Sequence, residues 1–400
     1  MKEKIVRYLW GMIARFLNLF VPVKPKHWIF GSDFGQTYRE GSKYLLEYMQ
    51  KEHPEYVCTF IAQNKQLVSD LKRQGIPAAY NYSFDGIFKI LRADCVFTAQ
   101  FINDIYFTFK KKDRYFFYVV HGQPFKYAAD MLPEDYFDKT ESKFLKKIRH
   151  LKTRLGSFFT LGYTIDDVTF VSATSEFTAG FMQQEHKKSE VKILGMPRND
   201  ALFDDDRMKK ERWIEGVENK FVITYMPTHR KYGKGLVSPI PFRNNAIVQK
   251  WLRDNNIVFI VKQHPNMIHL VQETKSDDVI IDITKNYYDP MTVIYHSDVL
   301  ITDYSSVWMD YLLLKRPLIF YFYDNFETED VGCYYNLRDE FPNNYCESEE
   351  KLFEMIQKAY SDKVSLIPSE SEIHKFHKYI DNNSCKRYYQ AIAKLKYGEE

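Results

Sequence analysis

The chain has 400 residues, of which 45% are hydrophobic, and a formal net charge of +3 at pH 7. At this length two domains are expected, and so small a charge excludes a protein whose whole surface binds nucleic acid or another polyanion. The five cysteines are scattered and odd in number, which favours a reducing, cytoplasmic compartment over a disulfide framework or a zinc site with paired cysteines.

The first predicted element is an amphipathic helix within residues 1–26. Its apolar residues recur at helical spacing and form one stripe, namely Ile5, Val6, Leu9, Trp10, Ile13, Phe16, Leu17 and Phe20. Arg7 and Arg15 interrupt the apolar run too early for a membrane-spanning helix, and no cleavage site of a signal peptide follows. We therefore expect a helix at a membrane surface, with packing of the stripe on the protein's own core as the alternative.

A second basic amphipathic segment covers residues 139–154. Its basic residues include Lys146, Lys147 and Arg149, and its apolar residues fall on one helix face with Phe144 and Leu151 among them. Basic amphipathic helices favour anionic lipid surfaces, although each could also be an ordinary surface helix. Two such helices in one chain favour attachment to an anionic membrane surface.

From His27 onward, short apolar runs alternate with helical stretches, a pattern that predicts parallel sheets. The predicted strands of the first half cover residues 27–30, 57–62, 95–98, 115–120, 168–171 and 191–194. Those of the second half cover residues 221–225, 257–261, 279–281, 299–302 and 318–322. The predicted fold is therefore α/β, with two doubly wound Rossmann-like domains that face a cleft.

A charged stretch, residues 204–219, separates the two sets of strands and places the domain boundary near residue 215. The predicted parts are thus the helical segment 1–26, an N-terminal domain 27–215 and a C-terminal domain 216–400. Three consecutive aspartates, residues 204–206, could be taken for a metal-binding cluster. Because they lie in the connector beside basic residues, we expect a solvated acidic run instead.

The segment Asp298–Tyr311 reads as an apolar strand that ends at two hydroxyls, Ser305 and Ser306, and continues as a helix. The unpaired N–H groups and the dipole of a helix start attract phosphate, and the serine hydroxyls add donors. The apolar run Leu318–Phe322 then completes a β-α-β unit of the kind that binds nucleotides. The alternative is that Ser305 is simply the N-cap of the helix.

Two histidines and two arginines also lie just beyond predicted strands. His121 and His264 each follow a strand, in the first and second half respectively, where a histidine can act as a general base near neutral pH. A lone histidine there would more often bond to the backbone, but the repeated placement favours a chemical role. Arg198 and Arg230 each follow a proline turn and could grip phosphate oxygens or pair with an acid.

Five motifs together resemble those of the CDP-glycerol glycerophosphotransferases of teichoic acid and capsule synthesis. In order, they are His121–Lys126, Gly195–Asp200, Met226–Arg230, Lys262–Pro265 and Ile301–Ser306. The resemblance spans about residues 27–345. It implies a GT-B-like transferase without metal or other cofactor, bound peripherally to the cytoplasmic face of the bacterial membrane, that has no nucleic-acid partner.

The resemblance also implies a reaction and the residues that perform it. Glycerol phosphate or ribitol phosphate would pass from CDP-glycerol or CDP-ribitol, bound by the C-terminal domain, to a hydroxyl of a polyprenyl-linked glycan acceptor on the N-terminal side, with release of CMP. His121 would be the catalytic base and His264 would stabilise the transferring phosphate. Arg230, Ser305 and Ser306 would bind the donor pyrophosphate. The other substrate-binding residues expected from these motifs are Lys126, Arg198, Asn199, Asp200, Thr228, Thr302 and Asp303.

The sequence departs from the family pattern at several positions. Members usually have Thr and Leu in place of Gln123 and Phe125, and Asn in place of Gly41. An Arg-Gly pair and a later Pro-Gly pair are replaced by Val331-Gly332 and Pro342-Asn343. The identity of the polyol and acceptor, and the choice between one addition and polymerisation, are therefore open.

Two other functions fit the same sequence. A GT-B glycosyltransferase that uses a nucleotide sugar would share the sheets, the cleft and the phosphate-binding helix. A membrane-bound nucleotide-binding scaffold without activity would not need His121 or His264.

Overall fold

The computed structural model describes residues 2–100, 102–127, 162–228, 239–264, 278–286, 288–324 and 332–399. Contacts divide the chain into two compact units. The first comprises Met1–His121, Pro133–Asp200 and Asp381–Glu400, and the second comprises Gly122–Leu132 and Ala201–Ile380.

This division differs from the predicted boundary near residue 215 because the charged connector packs within the second unit. The Tyr295 hydroxyl donates to Asp205 at 2.9 Å, and the ring of Trp213 stacks on His296 with centroids 4.8 Å apart. The three aspartates at 204–206 are exposed, as the sequence predicts for a solvated run.

The first unit contains one parallel sheet of seven strands. The strands are β1 His27–Gly31, β2 Val57–Ala62, β3 Ala78–Tyr80, β4 Cys95–Thr98, β5 Tyr115–Tyr118, β6 Phe170–Ala173 and β7 Glu190–Ile193, in the spatial order β3-β2-β1-β4-β5-β6-β7. The rings of Phe30, Phe97 and Phe117 stack across β1, β4 and β5, with successive centroids 4.6 and 5.1 Å apart. Such large apolar side chains fill the space between the sheet and its helices.

The second unit contains a parallel sheet of six strands. They are β8 Phe221–Met226, β9 Ile257–Val261, β10 Ile280–Asp282, β11 Val299–Thr302, β12 Leu318–Tyr321 and β13 Tyr345–Cys346, in the order β10-β9-β8-β11-β12-β13. Every residue of β9 and β11 is buried, which explains why both appear in the sequence as unbroken apolar runs. The α/β class with two doubly wound parallel sheets is thereby confirmed. In each sheet the strand order reverses, between β1 and β4 and between β8 and β11.

The helices of the described residues cover the segments between the strands. In chain order they are α1 Lys2–Asn18, α2 Glu40–Glu52, α3 Lys65–Arg73, α4 Phe84–Arg92, α5 Glu176–Glu185, α6 Asp205–Met208, α7 Ala246–Asp254, α8 Pro290–Tyr295, α9 Val307–Leu312, α10 Leu337–Glu340, α11 Glu349–Ser361, α12 Glu370–Phe376 and α13 Ser384–Tyr397. Most begin at a side chain that accepts a bond from the first turn, as Asn64, Ser83 and Ser348 do for α3, α4 and α11.

The predicted stripe of the N-terminal helix divides between two faces of α1. Trp10 and Leu17 pack against the core of the first unit together with the fully buried Ala14. The rest of the stripe leaves large apolar side chains in solvent, among them Leu9 at 50% and Phe16 at 63% exposure in α1, and Phe20 at 69% just beyond its end. Across the described ranges, no helix is both long and apolar enough to cross a bilayer. The second predicted amphipathic segment, 139–154, lies outside the described residues.

Candidate active site

The predicted functional residues lie at the carboxyl ends of parallel strands in both units, where open α/β sheets bind their ligands. In the first unit, His121 follows β5, and residues 198–200 follow β7. In the second unit, Thr228 follows β8, His264 follows β9, and Asp303 follows β11. Arg230 lies outside the described residues.

The His121 side chain reaches solvent, yet protein atoms surround it closely enough that desolvation lowers the pKa of its ring. Arg198 and Arg39 lower this pKa further, whereas Glu40 and a backbone hydrogen bond at Ala99 raise it. Because the net shift is downward, the ring is mostly neutral at neutral pH and can accept a proton.

The Arg198 guanidinium is buried and pairs with an acid of the same unit. Its Nη1 atom lies 2.6 Å from Glu40 Oε2 and also donates to the main-chain carbonyl oxygen of His121. Of the two roles considered for this arginine, acid pairing is therefore the one with an observed contact. Binding of donor phosphate by Arg198 stays a prediction.

Asp200 and Asn199 differ in their surroundings. The Asp200 carboxylate accepts the N–H groups of Ser384 (2.8 Å) and Cys385 (2.7 Å), and so caps the first turn of α13. Burial raises the pKa of Asp200, and these hydrogen bonds oppose the rise. Asn199 is buried, and its Oδ1 has no hydrogen-bond partner within the described ranges. Substrate contacts by both residues stay predictions.

Ser306 is the N-cap of α9, a short helix of 6 residues, but its side chain makes no capping hydrogen bond. The sequence suggested Ser305 as the possible N-cap, whereas the N-cap is Ser306, and its hydroxyl does not perform the capping role. Gly122 lies directly against that hydroxyl, because a Cβ added to Gly122 would be 2.8 Å from Ser306 Oγ. Both serines are partly exposed, so their hydroxyls lie at the surface of the unit.

Thr302 and Asp303 hold the end of β11 to the loop after β8. The Thr302 hydroxyl donates to the carbonyl oxygen of Met226, and the Thr228 N–H donates to Asp303 Oδ1, each at 2.7 Å. Asp303 is fully buried. These bonds fix the backbone that leads toward Arg230, and they place Thr228 and Asp303 at the reversal of strand order between β8 and β11.

The segment before His264 and the segment after Gly122 are both packed into the second unit. Lys262 and Gln263 are buried, and the Gln263 N–H donates to Thr284 Oγ1 at 2.9 Å, which leaves His264 partly exposed at the strand end. Lys126 forms a β-bridge with Cys333. Sequence reasoning did not single out Thr284, since its position follows from the pairing of β9 with β10.

Two of the departures from the family pattern, Phe125 and Gly41, have packing explanations. Phe125 is buried and lies among the rings of Tyr304, Trp308 and Tyr335, with centroids 6.4, 6.3 and 5.2 Å away. At Gly41 a side chain would overlap Val119, which fills the space an asparagine would need. At Gly332 a Cβ would overlap the ring of Tyr127.

Comparison with known proteins identifies the family. The CDP-Glycerol:Poly(glycerophosphate) glycerophosphotransferase family matches residues 13–394. The chain belongs to this family.

The individual relatives share little more than a quarter of their aligned residues with this chain. The teichoic acid poly(glycerol phosphate) polymerase of Staphylococcus epidermidis is 28% identical over 369 residues, which cover 86% of this chain and 47% of the polymerase. The teichoic acid glycerol-phosphate primase of Bacillus subtilis is 27% identical over 210 residues, or 52% of each protein. The chain thus spans about half the length of these relatives.

The fold is also shared with a solved structure. The structure of the wall teichoic acid polymerase TagF superposes with a TM-score of 0.73 at 21% identity, and the match covers 99% of this chain and 94% of that one. At this identity the superposition shows only that the fold is shared. The shared fold agrees with the predicted GT-B-like class.

Proposed function

We propose that this protein transfers glycerol phosphate or ribitol phosphate from a CDP-polyol to a hydroxyl of a membrane lipid-linked acceptor in teichoic acid or capsule synthesis. The observation that carries the proposal is the family match over residues 13–394, within which the expected histidines and serines lie at strand ends. The acceptor is proposed to be a polyprenyl-linked glycan.

The reaction joins the acceptor oxygen to the β-phosphorus of the CDP-polyol and breaks the bond from that phosphorus to the bridging oxygen. CMP leaves with the bridging oxygen, and His121 takes the proton of the acceptor hydroxyl. Its lowered pKa supports this role, since the ring is then neutral and basic at physiological pH.

The growing charge on phosphate needs donors that are already in place. We assign this task to His264, Arg230 and the start of α9 with Ser305 and Ser306. Support for the serines comes from the Ser306 hydroxyl, which makes no capping bond, and from Gly122, which lets the backbone of its motif approach that hydroxyl. Thr228, Thr302 and Asp303 would hold this arrangement through the bonds between β8 and β11.

We further propose that the enzyme acts at the cytoplasmic face of the membrane, as a peripheral protein on anionic lipid. The exposed apolar side chains of α1 and of the residues just after it support this, because Leu9, Phe16 and Phe20 are costly to leave in water.

The test is donor turnover with a synthetic polyprenyl-linked acceptor. CMP release from CDP-glycerol or CDP-ribitol is expected, and release of UDP or GDP from a sugar nucleotide would instead establish a glycosyltransferase. The variant His121→Ala should bind the donor normally and turn over roughly 10²–10⁴-fold more slowly, the usual contribution of a positioned acid–base group. His374→Ala, which changes an exposed histidine, serves as its control. Unchanged turnover in the His121 variant would overturn the assignment of His121 as the base, whereas absence of turnover in the wild-type protein would favour the scaffold function.

A further inference from the structure

The start of α2 has an unusual backbone beside the segment that leads to His121. Glu40, its first residue, has φ 61°, a left-handed conformation that residues with a Cβ rarely adopt. Backbone strain of this kind persists only where the surrounding contacts hold it, and it is concentrated at functional sites. At the next position, Gly41, a Cβ would overlap the side chain of Val119. The helix start therefore lies directly against the backbone that continues to His121.

The contact that the strained residue makes is a buried ion pair. Glu40 Oε2 lies 2.6 Å from Arg198 Nη1, and the two side chains are only 11% and 8% exposed. Arg198 Nη1 also donates to the main-chain carbonyl oxygen of His121. Removing one member of a buried pair leaves an uncompensated charge, so the two residues are expected to act together.

We infer that Glu40 and Arg198 form a positioning pair for His121, in which Arg198 fixes the main chain of the histidine and Glu40 holds Arg198 in place. The inference rests on the proposed function, since a fixed His121 matters for proton removal. Neither residue needs to touch the substrate. The pair occupies Arg198 with contacts inside its own unit, which distinguishes this role from donor binding.

The charges around the ring supply a test. Desolvation, Arg198 and Arg39 lower the pKa of His121, while Glu40 and the backbone bond at Ala99 raise it. Loss of the Glu40 charge should therefore lower the pKa further. An Arg198→Lys change keeps the positive charge but shortens the side chain and replaces the fixed Nη1 group, which donates to both acceptors, by a rotatable ammonium.

Steady-state kinetics of Glu40→Gln and Arg198→Lys with CDP-glycerol and a soluble acceptor analogue separate the two roles. For both variants we expect kcat to fall on the order of 10- to 100-fold with an unchanged KM for the donor. A displacement of the His121 ring by about 1 Å is enough for such a loss. In Glu40→Gln the acid limb of the pH–rate profile should move to lower pH. In Arg198→Lys it should stay in place.

A matched control exists in the same unit. Arg387 donates through Nε to the carbonyl oxygen of Leu194 and through Nη1 to Asp381 Oδ2, each at 2.9 Å. It thus also joins a carboxylate to a main-chain carbonyl, but neither residue is among the groups that shift the pKa of His121. Asp381→Asn and Arg387→Lys should leave kcat and the acid limb unchanged.

A titration of histidine ring signals by NMR gives a readout that does not depend on turnover, with His121→Gln used to assign the signal. Glu40→Gln should lower the measured pKa of His121, whereas Asp381→Asn should not.

If the wild-type protein releases no CMP, the proposed function fails, and this titration still decides the pairing. A raised KM with unchanged kcat in Arg198→Lys would make the arginine a donor ligand. A Glu40→Gln variant that matches the controls in both kcat and pKa would overturn the inference. If Arg198→Lys does not fold, Glu40→Gln decides alone.

Discussion

Gly122 and Ser306 are in close approach although they are far apart in the sequence: a Cβ at Gly122 would lie 2.8 Å from the Ser306 hydroxyl oxygen. Because Gly122 has no side chain, the Ser306 hydroxyl has room to lie beside it. The proposed donor site thus depends on Gly122 because this residue leaves space, although it contributes no side chain to the site.

Gly122→Ala should consequently displace the Ser306 hydroxyl and weaken binding of CDP-glycerol. A hydroxyl is easily moved to another rotamer, so we expect a modest effect, a rise in Kd of roughly tenfold or less, corresponding to the loss of about one hydrogen bond. Calorimetric titration measures it. Gly180→Ala is the control, since a Cβ there meets nothing within 4 Å in the helix α5. Equal Kd values for the two variants would show that the Ser306 hydroxyl does not bind the donor.

The double change Ser305→Ala and Ser306→Ala should weaken donor binding more strongly. It removes two hydroxyls and keeps only the backbone amides at the start of α9, whose 6 residues give a weak dipole. Hydrogen bonds to a charged group contribute roughly 1.5–3 kcal/mol each, so a rise in Kd of at least tenfold is expected. The same calorimetric titration, performed with the Ser361→Ala variant as an exposed serine control, checks it. An unchanged Kd in the double variant contradicts the assignment.

Stability should depend on pH through a buried histidine in the second unit. His377 Nε2 bonds the carbonyl oxygen of Met309 at 2.7 Å, and desolvation lowers the pKa of His377 to about 4. Because the unfolded chain has the higher pKa, it binds the proton first as the pH falls. The free energy of unfolding should therefore drop between about pH 6.5 and about pH 4, by roughly 3 kcal/mol from this group.

Urea denaturation at several pH values tests this contribution with His377→Gln. The variant should be less stable than the wild type at pH 7, because the buried bond to Met309 is altered, but its stability should fall less steeply toward acid. His374→Gln, at the surface three residues earlier, should change the slope much less, because the charge of His374 is the smallest of the three influences on the pKa of His377. If the slope is the same in all three proteins, His377 is not protonated differently in the folded and unfolded states.

The sequence predicts the strands well because strands buried on both faces are unbroken apolar runs, as β9 and β11 are. It also places His121, Thr228, His264 and Asp303 at strand ends, since that follows from the order of elements alone.

Other features depend on contacts between distant parts of the chain. Arg198 and Glu40 are 158 residues apart, and their pairing requires a left-handed backbone that no local pattern indicates. The cap that Asp200 provides for α13 spans 184 residues to Ser384. Arg198 was expected to bind substrate because it follows a strand and a proline turn, and Asp200 because of the family resemblance. Only the three-dimensional structure reveals their partners within the protein.

The division of the α1 stripe leads to the last prediction, which concerns membrane binding. Arg7 and Arg15 lie over the rings of Tyr106 and Phe109, at 4.3 and 4.7 Å from the ring centroids. These two arginines are held against the protein's own surface, so the contribution of α1 to lipid binding should come mainly from its exposed apolar face. Substituting Leu9, Phe16 and Phe20 by Ser should therefore release the protein from vesicles.

Sedimentation with vesicles of anionic and of neutral lipid measures this release. Each removed apolar side chain that had inserted fully would account for roughly 1.5–3 kcal/mol, so a loss of binding of at least 100-fold is expected for the triple variant. Ile247→Ser is the matched control, because Ile247 is 80% exposed in the second unit and should not affect binding. Turnover of a soluble acceptor analogue should be unchanged in the triple variant, while transfer to a lipid-linked acceptor in vesicles should slow. Binding that persists in this variant but is abolished by high salt would assign membrane attachment to basic residues elsewhere in the chain, since electrostatic attraction is screened and apolar insertion is not.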